Sequence, residues 1–140
     1  MPLEGACMDV EWTVAIPGSG RPVSSPTRSD AEAYGNRVRQ LVKQRWCYCE
    51  VWKVGTAYPI FTLSISDELA VVHRFVDAEA CLLLDGEDVV PRDKSRDFPI
   101  QDDVVSFTGD FISTSARAAG IIDAFARGAD ADDLGSWSRL

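Results

Sequence analysis

Residues 45–55 read R-W-C-Y-C-E-V-W-K-V-G, and this stretch decides the fold. Most of its positions are aromatic or β-branched, which favours a β-strand over a helix. Because successive side chains of a strand point to opposite faces, Cys47, Cys49 and Val51 share one face and Trp52 lies on the other. The sequence therefore predicts a strand that buries one face in a core.

The C-x-C pair in this strand raises the question of a metal or redox site. The two thiols project from one face roughly 7 Å apart, which is too far for a disulfide. A zinc site needs two further ligands, which only His73, Cys7 and Cys81 could supply, and none of these belongs to a paired ligand motif. A free cysteine behaves as a small buried apolar residue. We predict no metal and no cofactor.

Two amphipathic helices are predicted to cover the sheet. The first begins at the capping box S-D-A-E, in which Ser29 would accept a hydrogen bond from the backbone of Glu32. Its stripe at helical spacing consists of Tyr34, Val38, Leu41, Val42 and Arg45. The second helix has Ser113 or Thr114 as its cap and Gly128 as its end. Its apolar stripe consists of Ala118, Ile121, Ile122 and Phe125.

Strands are predicted on either side of the first helix. Alternation indicates half-buried strands at 10–16 and in the run Y-P-I-F-T-L-S-I-S at 58–66, the second with Thr62, Ser64 and Ser66 on its exposed face. The strand at 69–75 precedes the run A-C-L-L-L, and Asp85-Gly86 after it is a hairpin signal. Residues 104–108 add one more strand. The fold class predicted is α+β, an antiparallel meander of about five to six strands with two helices packed on it.

The remaining segments are predicted to lie outside the sheet. The chain of 140 residues has the length of a single domain. We expect disorder over residues 1–8, a long acidic surface loop over 87–103, and an acidic tail over 129–140 in which Leu134 and Trp137 dock back onto the body. The N-terminus lacks the features of a signal peptide and no stretch is long and apolar enough for a membrane helix, so the sequence predicts a cytoplasmic protein.

Net charge is unevenly distributed along the chain. The total is −8, but residues 1–65 hold 6 acidic and 7 basic side chains, whereas residues 66–140 hold 16 and 7. A field of this sign repels nucleic acid and anionic membranes and speeds encounter with a basic protein. We therefore predict neither nucleic-acid nor membrane binding, although basic residues are frequent on the first helix. Solubility alone is the simpler explanation of the charge.

Groups suited to catalysis are scarce. The one histidine, His73, falls on the apolar face of its strand, which is typical of a core imidazole rather than a general base. No G-x-S-x-G motif is present. The adjacent carboxylates Glu87-Asp88, Asp102-Asp103 and Asp132-Asp133 point apart in an extended chain, so none resembles a catalytic pair. The sequence predicts no catalytic residue.

A series of short motifs resembles the first family of bacterial polymorphic-toxin immunity proteins. The matching residues are Trp52-Lys53-Val54-Gly55, then Pro59, Phe61, Leu63 and Ile65, then the strand at 69–75, and finally Ala118, Ile121, Ile122, Phe125, Gly128 and Trp137. The resemblance spans roughly residues 45 to 137. It departs from the family where Ile112-Ser113 replaces a Val-Pro pair at the start of the last helix, and where the proline before the closing tryptophan is missing.

The resemblance implies a small cytosolic protein that binds and blocks a cognate secreted toxin, which in several family members is a nucleic-acid deaminase such as a cytidine deaminase. No active site is needed for that role. The partner-binding residues predicted for a basic toxin surface are Trp52, Glu87, Asp88, Asp93, Asp97, Asp102 and Asp103. Two alternatives remain open: a small-ligand-binding or enzymatic α+β domain with a pocket between sheet and helices, and a structural subunit that assembles through a strand edge.

Overall fold

The computed structural model describes residues 9–16, 25–101 and 103–139. Within them the chain forms an eight-stranded sheet, a separate two-stranded hairpin and two α-helices. The elements are β1 Asp9–Ala15, β2 Thr27–Asp30, α1 Ala31–Val42, β3 Trp46–Lys53, β4 Ile60–Ser66, β5 Leu69–Phe75, β6 Cys81–Leu84, β7 Ser95–Ile100, β8 Asp103–Thr108, β9 Ser113–Thr114, α2 Ser115–Ala126 and β10 Trp137–Arg139. The predicted α+β class is confirmed.

The centre of the main sheet is the predicted meander. Its strand order is β10-β6-β5-β4-β3-β1-β2, the short strand β9 pairs with β5, and the strand pairs are antiparallel. Cys49 lies opposite Leu63, which lies opposite Val72, so apolar residues of neighbouring strands share one face. This first face of the sheet packs on α1 and α2, and both cysteines of β3 are buried there as small apolar residues.

The two helices form as their apolar spacing predicts, but the first has a different cap. Asp30, not Ser29, is the N-cap of α1, and its Oδ1 accepts from the backbone of Ala33 at 2.8 Å. Ser29 instead belongs to β2, opposite Val10, and its Oγ accepts a hydrogen bond from Trp12 Nε1 at 3.2 Å. Thr114 caps α2 as predicted, and Gly128 ends it with a φ of 102°. Neither described helix is long and apolar enough to cross a membrane.

The prediction of a long loop over 87–103 is wrong in its second half. Residues 95–100 form β7, which pairs with β8 as a hairpin laid over the second face of the main sheet. Phe98 is fully buried there in a small cluster with Val71 and Leu83. The segment S-R-D-F-P-I has little strand propensity of its own, so burial of Phe98 rather than local preference selects this conformation.

Two further expectations fail because of the same hairpin. Thr62 and Ser64, predicted on an exposed face, are buried beneath it. Asp85-Gly86 is not a hairpin turn, since the strand after it, β7, pairs only with β8. Gly86 is instead required for close packing, because a Cβ there would lie 2.6 Å from the carbonyl oxygen of Gly109. Gly86 precedes the β7–β8 hairpin in the chain, and Gly109 follows it.

The C-terminal segment packs on the body as predicted, through Leu134 and Trp137. A 3-10 turn at Ala131–Asp133 precedes β10, which pairs with β6 and closes that edge of the sheet. Trp137 Nε1 donates to the carbonyl oxygen of Ala131 at 3.0 Å. The acidic tail is therefore part of the fold, at least as far as residue 139. Residues 1–8, for which disorder is predicted, lie outside the described part of the chain.

The close packing of Gly109 against the backbone at the base of the hairpin gives a stability prediction. A Cβ on Gly109 would clash with the backbone carbonyl oxygens of Val90 and Pro91, which cannot move aside as a side chain would. We expect Gly109→Ala to lower the free energy of unfolding by about 2–3 kcal/mol. The measurement is urea denaturation followed by tryptophan fluorescence.

The matched control for Gly109 is Gly120, in the middle of α2. A Cβ there meets no atom within 4 Å, so Gly120→Ala should raise the free energy of unfolding by about 0.5–1 kcal/mol through helix propensity alone. Equal effects of the two substitutions would contradict the tight packing assigned to Gly109.

Candidate protein-binding surface

The predicted partner-binding residues are divided between the two ends of the β7–β8 hairpin. Glu87 and Asp88 lie before its base, whereas Asp103 lies at its tip, and β7 between them spans roughly 16 Å. Asp93 lies just before β7, at the base end, and Asp97 lies within β7; both are exposed. Asp102 lies outside the described residues. The structure therefore does not bring the whole set into one patch.

The carboxylates at the base are engaged within the protein. Glu87 accepts from the backbone N–H of Thr114 at 3.2 Å and lies 3.8 Å from Arg117, so it supports the start of α2. Asp88 and Asp110 flank Arg92, at 3.7 and 3.6 Å respectively. These contacts partly neutralise the base, which makes it a poor candidate for a charged interface.

At the other end, the tip of the hairpin meets the uncovered part of the second face of the sheet. The side chain of Gln101 donates to Glu50 at 3.5 Å, and Trp52 follows two residues further along the same face of β3. Trp52 Nε1 in turn donates to Glu11 of β1 at 3.4 Å. We call the group of Glu11, Glu50, Trp52, Gln101 and Asp103 the tip surface. It combines three carboxylates with a half-buried aromatic ring.

The hairpin extends the tip surface with exposed acidic and apolar groups. Val104 is 53% exposed and Val105 is 37% exposed. Asp97 accepts from Ser106 across the hairpin, and Asp103 accepts from the backbone of Val104. Among the described residues, no basic side chain forms an ion pair with Asp97 or Asp103. Their charges are therefore available to a partner.

The reactive side chains of Cys47, Cys49 and His73 lie elsewhere and are buried. Burial raises the pKa of Cys47 to about 11 and that of Cys49 to about 12, so neither is a thiolate near neutral pH. Burial lowers the pKa of His73 to about 4, and its ring packs against Phe75 and Phe107. In the described part of the chain, no three His, Cys, Asp or Glu side chains gather in a way that could hold a metal ion.

Three members of the tip surface are absent from the sequence-based prediction. Glu50 shares a face with Trp52, so strand alternation within β3 was a signal that could have identified it. Glu11 joins the surface only because β1 pairs with β3, which places it opposite Trp52. Gln101 joins it through the position of the hairpin. Neither the strand order nor the hairpin position has a local signal in the sequence.

Comparison with known proteins identifies no family. No protein-family model matches the chain, and no curated protein matches it significantly. The resemblance to immunity proteins therefore stays a prediction based on short motifs.

Burial of His73 predicts a specific pH dependence of stability. The pKa is about 4 in the folded protein and about 6.5 when unfolded, so between these values the unfolded state binds a proton that the folded state does not. The free energy of unfolding should therefore fall as the pH is lowered through this window. We expect the contribution of His73 to decrease by about 2 kcal/mol between pH 7 and pH 5.

The measurement for His73 is urea denaturation at both pH values, with His73→Leu as the control because carboxylates also titrate at low pH. The loss of stability should be smaller in the variant by the stated amount. Equal losses in the two proteins would show that His73 is accessible to protons in the folded state.

Proposed function

We propose that this protein is an immunity protein that binds a cognate secreted bacterial toxin and neutralises it by occupying a basic substrate groove. The single observation that carries the proposal is the tip surface, where Trp52 donates to Glu11, shares a face of β3 with Glu50, and lies on the part of the sheet that the hairpin tip with Asp103 reaches through the Gln101–Glu50 hydrogen bond. Among the described residues none of these carboxylates forms an ion pair, and acidic groups near an aromatic ring suit recognition of a basic protein surface, with the ring as the anchor.

The sign of the charge supports a toxin that acts on nucleic acid. Such an enzyme needs a cationic groove to hold the phosphate backbone. The segment 66–140 carries 16 acidic and 7 basic residues, so its field attracts a cationic groove over a distance. The resemblance of the short motifs to immunity proteins favours a deaminase, of the cytidine deaminase type, among such toxins.

The proposed role requires binding without turnover, and the side chains have properties suited to that role. Cys47, Cys49 and His73, which would be the usual choices for nucleophile or base, are buried in the core. Exposed Val104 and Val105 give the partner an apolar contact beside the carboxylates. We place this binding in the cytoplasm of the producing cell, where a deaminase would meet its substrate.

Charge reversal at the hairpin tests the steering role of its carboxylates. We expect the double variant Asp97→Lys, Asp103→Lys to associate about tenfold more slowly with the toxin at low ionic strength, because both unpaired charges would then repel a basic groove. The rate should also depend less on salt. The measurement is stopped-flow binding to the toxin domain encoded by the neighbouring reading frame on the chromosome.

The control for this experiment changes net charge by the same amount elsewhere. Glu68 and Asp133 are exposed and form no ion pair among the described residues, so Glu68→Lys, Asp133→Lys is a matched double variant. It should retain most of the association rate. If both double variants slow association equally, net charge rather than the hairpin is responsible.

Truncation of the aromatic ring tests its role as an anchor. We expect Trp52→Ala to raise the dissociation rate of the toxin complex about thirtyfold, which corresponds to about 2 kcal/mol. Trp46→Ala is the matched control, since Trp46 is a half-buried tryptophan on the same face of the same strand, six residues away. Surface plasmon resonance gives the two rates, and unfolding curves of both variants separate lost binding from lost stability.

The proposal as a whole is tested by growth. Expression of the neighbouring toxin domain in a bacterial host should arrest growth, and co-expression of this protein should restore it. A toxin domain that is not bound, or growth that is not restored, would refute the assignment as an immunity protein.

A further inference from the structure

A groove lies between α1 and α2 on the side of the helices that faces away from the sheet. Its volume is about 500 Å³, within the range of binding sites in proteins. The apolar lining residues are Val38 and Val42 of α1 and Ala116 and Ala119 of α2, together with Gly120. Ala116 and Gly120 are exposed to solvent, so the groove is open.

Gly120 in this groove is not explained by contacts within the protein. A glycine in the middle of a helix destabilises it relative to alanine, so it usually has a packing reason. Gly35 has one, because a Cβ there would clash with Asp123 where the two helices meet. At Gly120 a Cβ would meet no atom within 4 Å. The missing side chain therefore leaves room for something outside the described chain.

The rim of the groove is positively charged. Arg39 and Lys43 line it, and neither pairs with a carboxylate anywhere in the described ranges. Arg39 donates a hydrogen bond to the amide oxygen of Asn36. The one lining carboxylate, Asp123, is paired with Arg127 at 3.1 Å. In a chain with a net charge of −8, this groove is a local region of the opposite sign.

We infer that this groove is a second protein-binding site, which takes an amphipathic helix with acidic flanks from a partner protein. The lining positions extend from i to i+7 on each helix, about 10 Å, which matches two turns of a docked helix. Small side chains on α2 allow close approach, and Arg39 and Lys43 would pair with the flanking carboxylates. The site lies on the helical side of the sheet, opposite the tip surface, so it does not depend on the proposed function.

A stapled peptide tests this inference directly. The probe has about 14 residues, with leucines at i, i+3 and i+7 and glutamates beside them, and a hydrocarbon staple because a free helix of that length is marginal in water. We expect saturable binding by fluorescence anisotropy, with amide shifts in the NMR spectrum confined to α1 and α2. The same peptide with lysine in place of glutamate should bind with an affinity lower by roughly tenfold or more.

Filling the groove separates binding from folding. Gly120→Leu places a side chain in the open space of the groove. It should raise Tm by about 3 °C through helix propensity. It should nevertheless weaken binding of the peptide roughly tenfold or more, because the side chain occupies the site. Ala33→Leu is the matched control, because it adds the same side chain type at an exposed position of α1 that does not line the groove. It should leave binding unchanged.

Several results would overturn the inference. These are the absence of saturable binding, equal binding of the acidic and basic peptides, or a Gly120→Leu variant that binds as the wild type does. A concentration-dependent dimer of the wild type that Gly120→Leu abolishes would assign the groove to a second copy of this chain instead. Analytical ultracentrifugation of both proteins makes that distinction.

Discussion

Burial of Phe98 against the second face of the main sheet is the contact on which the arrangement of the surface depends. It holds the β7–β8 hairpin over Thr62, Ser64 and His73, and so converts a sheet with one covered face into one with both faces partly covered. The tip of the hairpin contacts β3, where Gln101 donates to Glu50. Glu50 and Trp52 are left beside it, and the tip surface exists for that reason.

The helical face and the hairpin face differ in their physical character. On the first face, a continuous apolar cluster joins the sheet to α1 and α2, with Phe61 and Phe125 in ring contact at 4.1 Å. On the second face, a small cluster around Phe98 sits beside polar side chains. The larger cluster accounts for most of the buried apolar area and hence of the stability. The hairpin side has the lower density of apolar contacts, and its exposed residues are those that we assign to binding.

The elements predicted correctly from the sequence are those whose signals are local. The strand signals of β3 and β4, the helical stripe at Tyr34, Val38 and Leu41, and the stop at Gly128 all depend on neighbouring residues, and each of these elements is found in the structure. The hairpin is different, because Phe98 selects its conformation by contact with residues distant in sequence. The candidate surface was predicted only in part for the same reason: Trp52 and Asp103 were identified, whereas Glu11 and Gln101 join them through strand order and hairpin position.

The pairing of β10 with β6 has a consequence for the order in which the sheet is completed. Arg74 of β5 contacts Asp132 at 2.8 Å and lies over the ring of Trp137, so the edge next to β6 is covered by residues that leave the ribosome well after β6 itself. Until residues 137–139 emerge, β6 has an open edge that can pair with another nascent chain. Translation speed between residues 84 and 137 thereby sets how long that vulnerable intermediate persists.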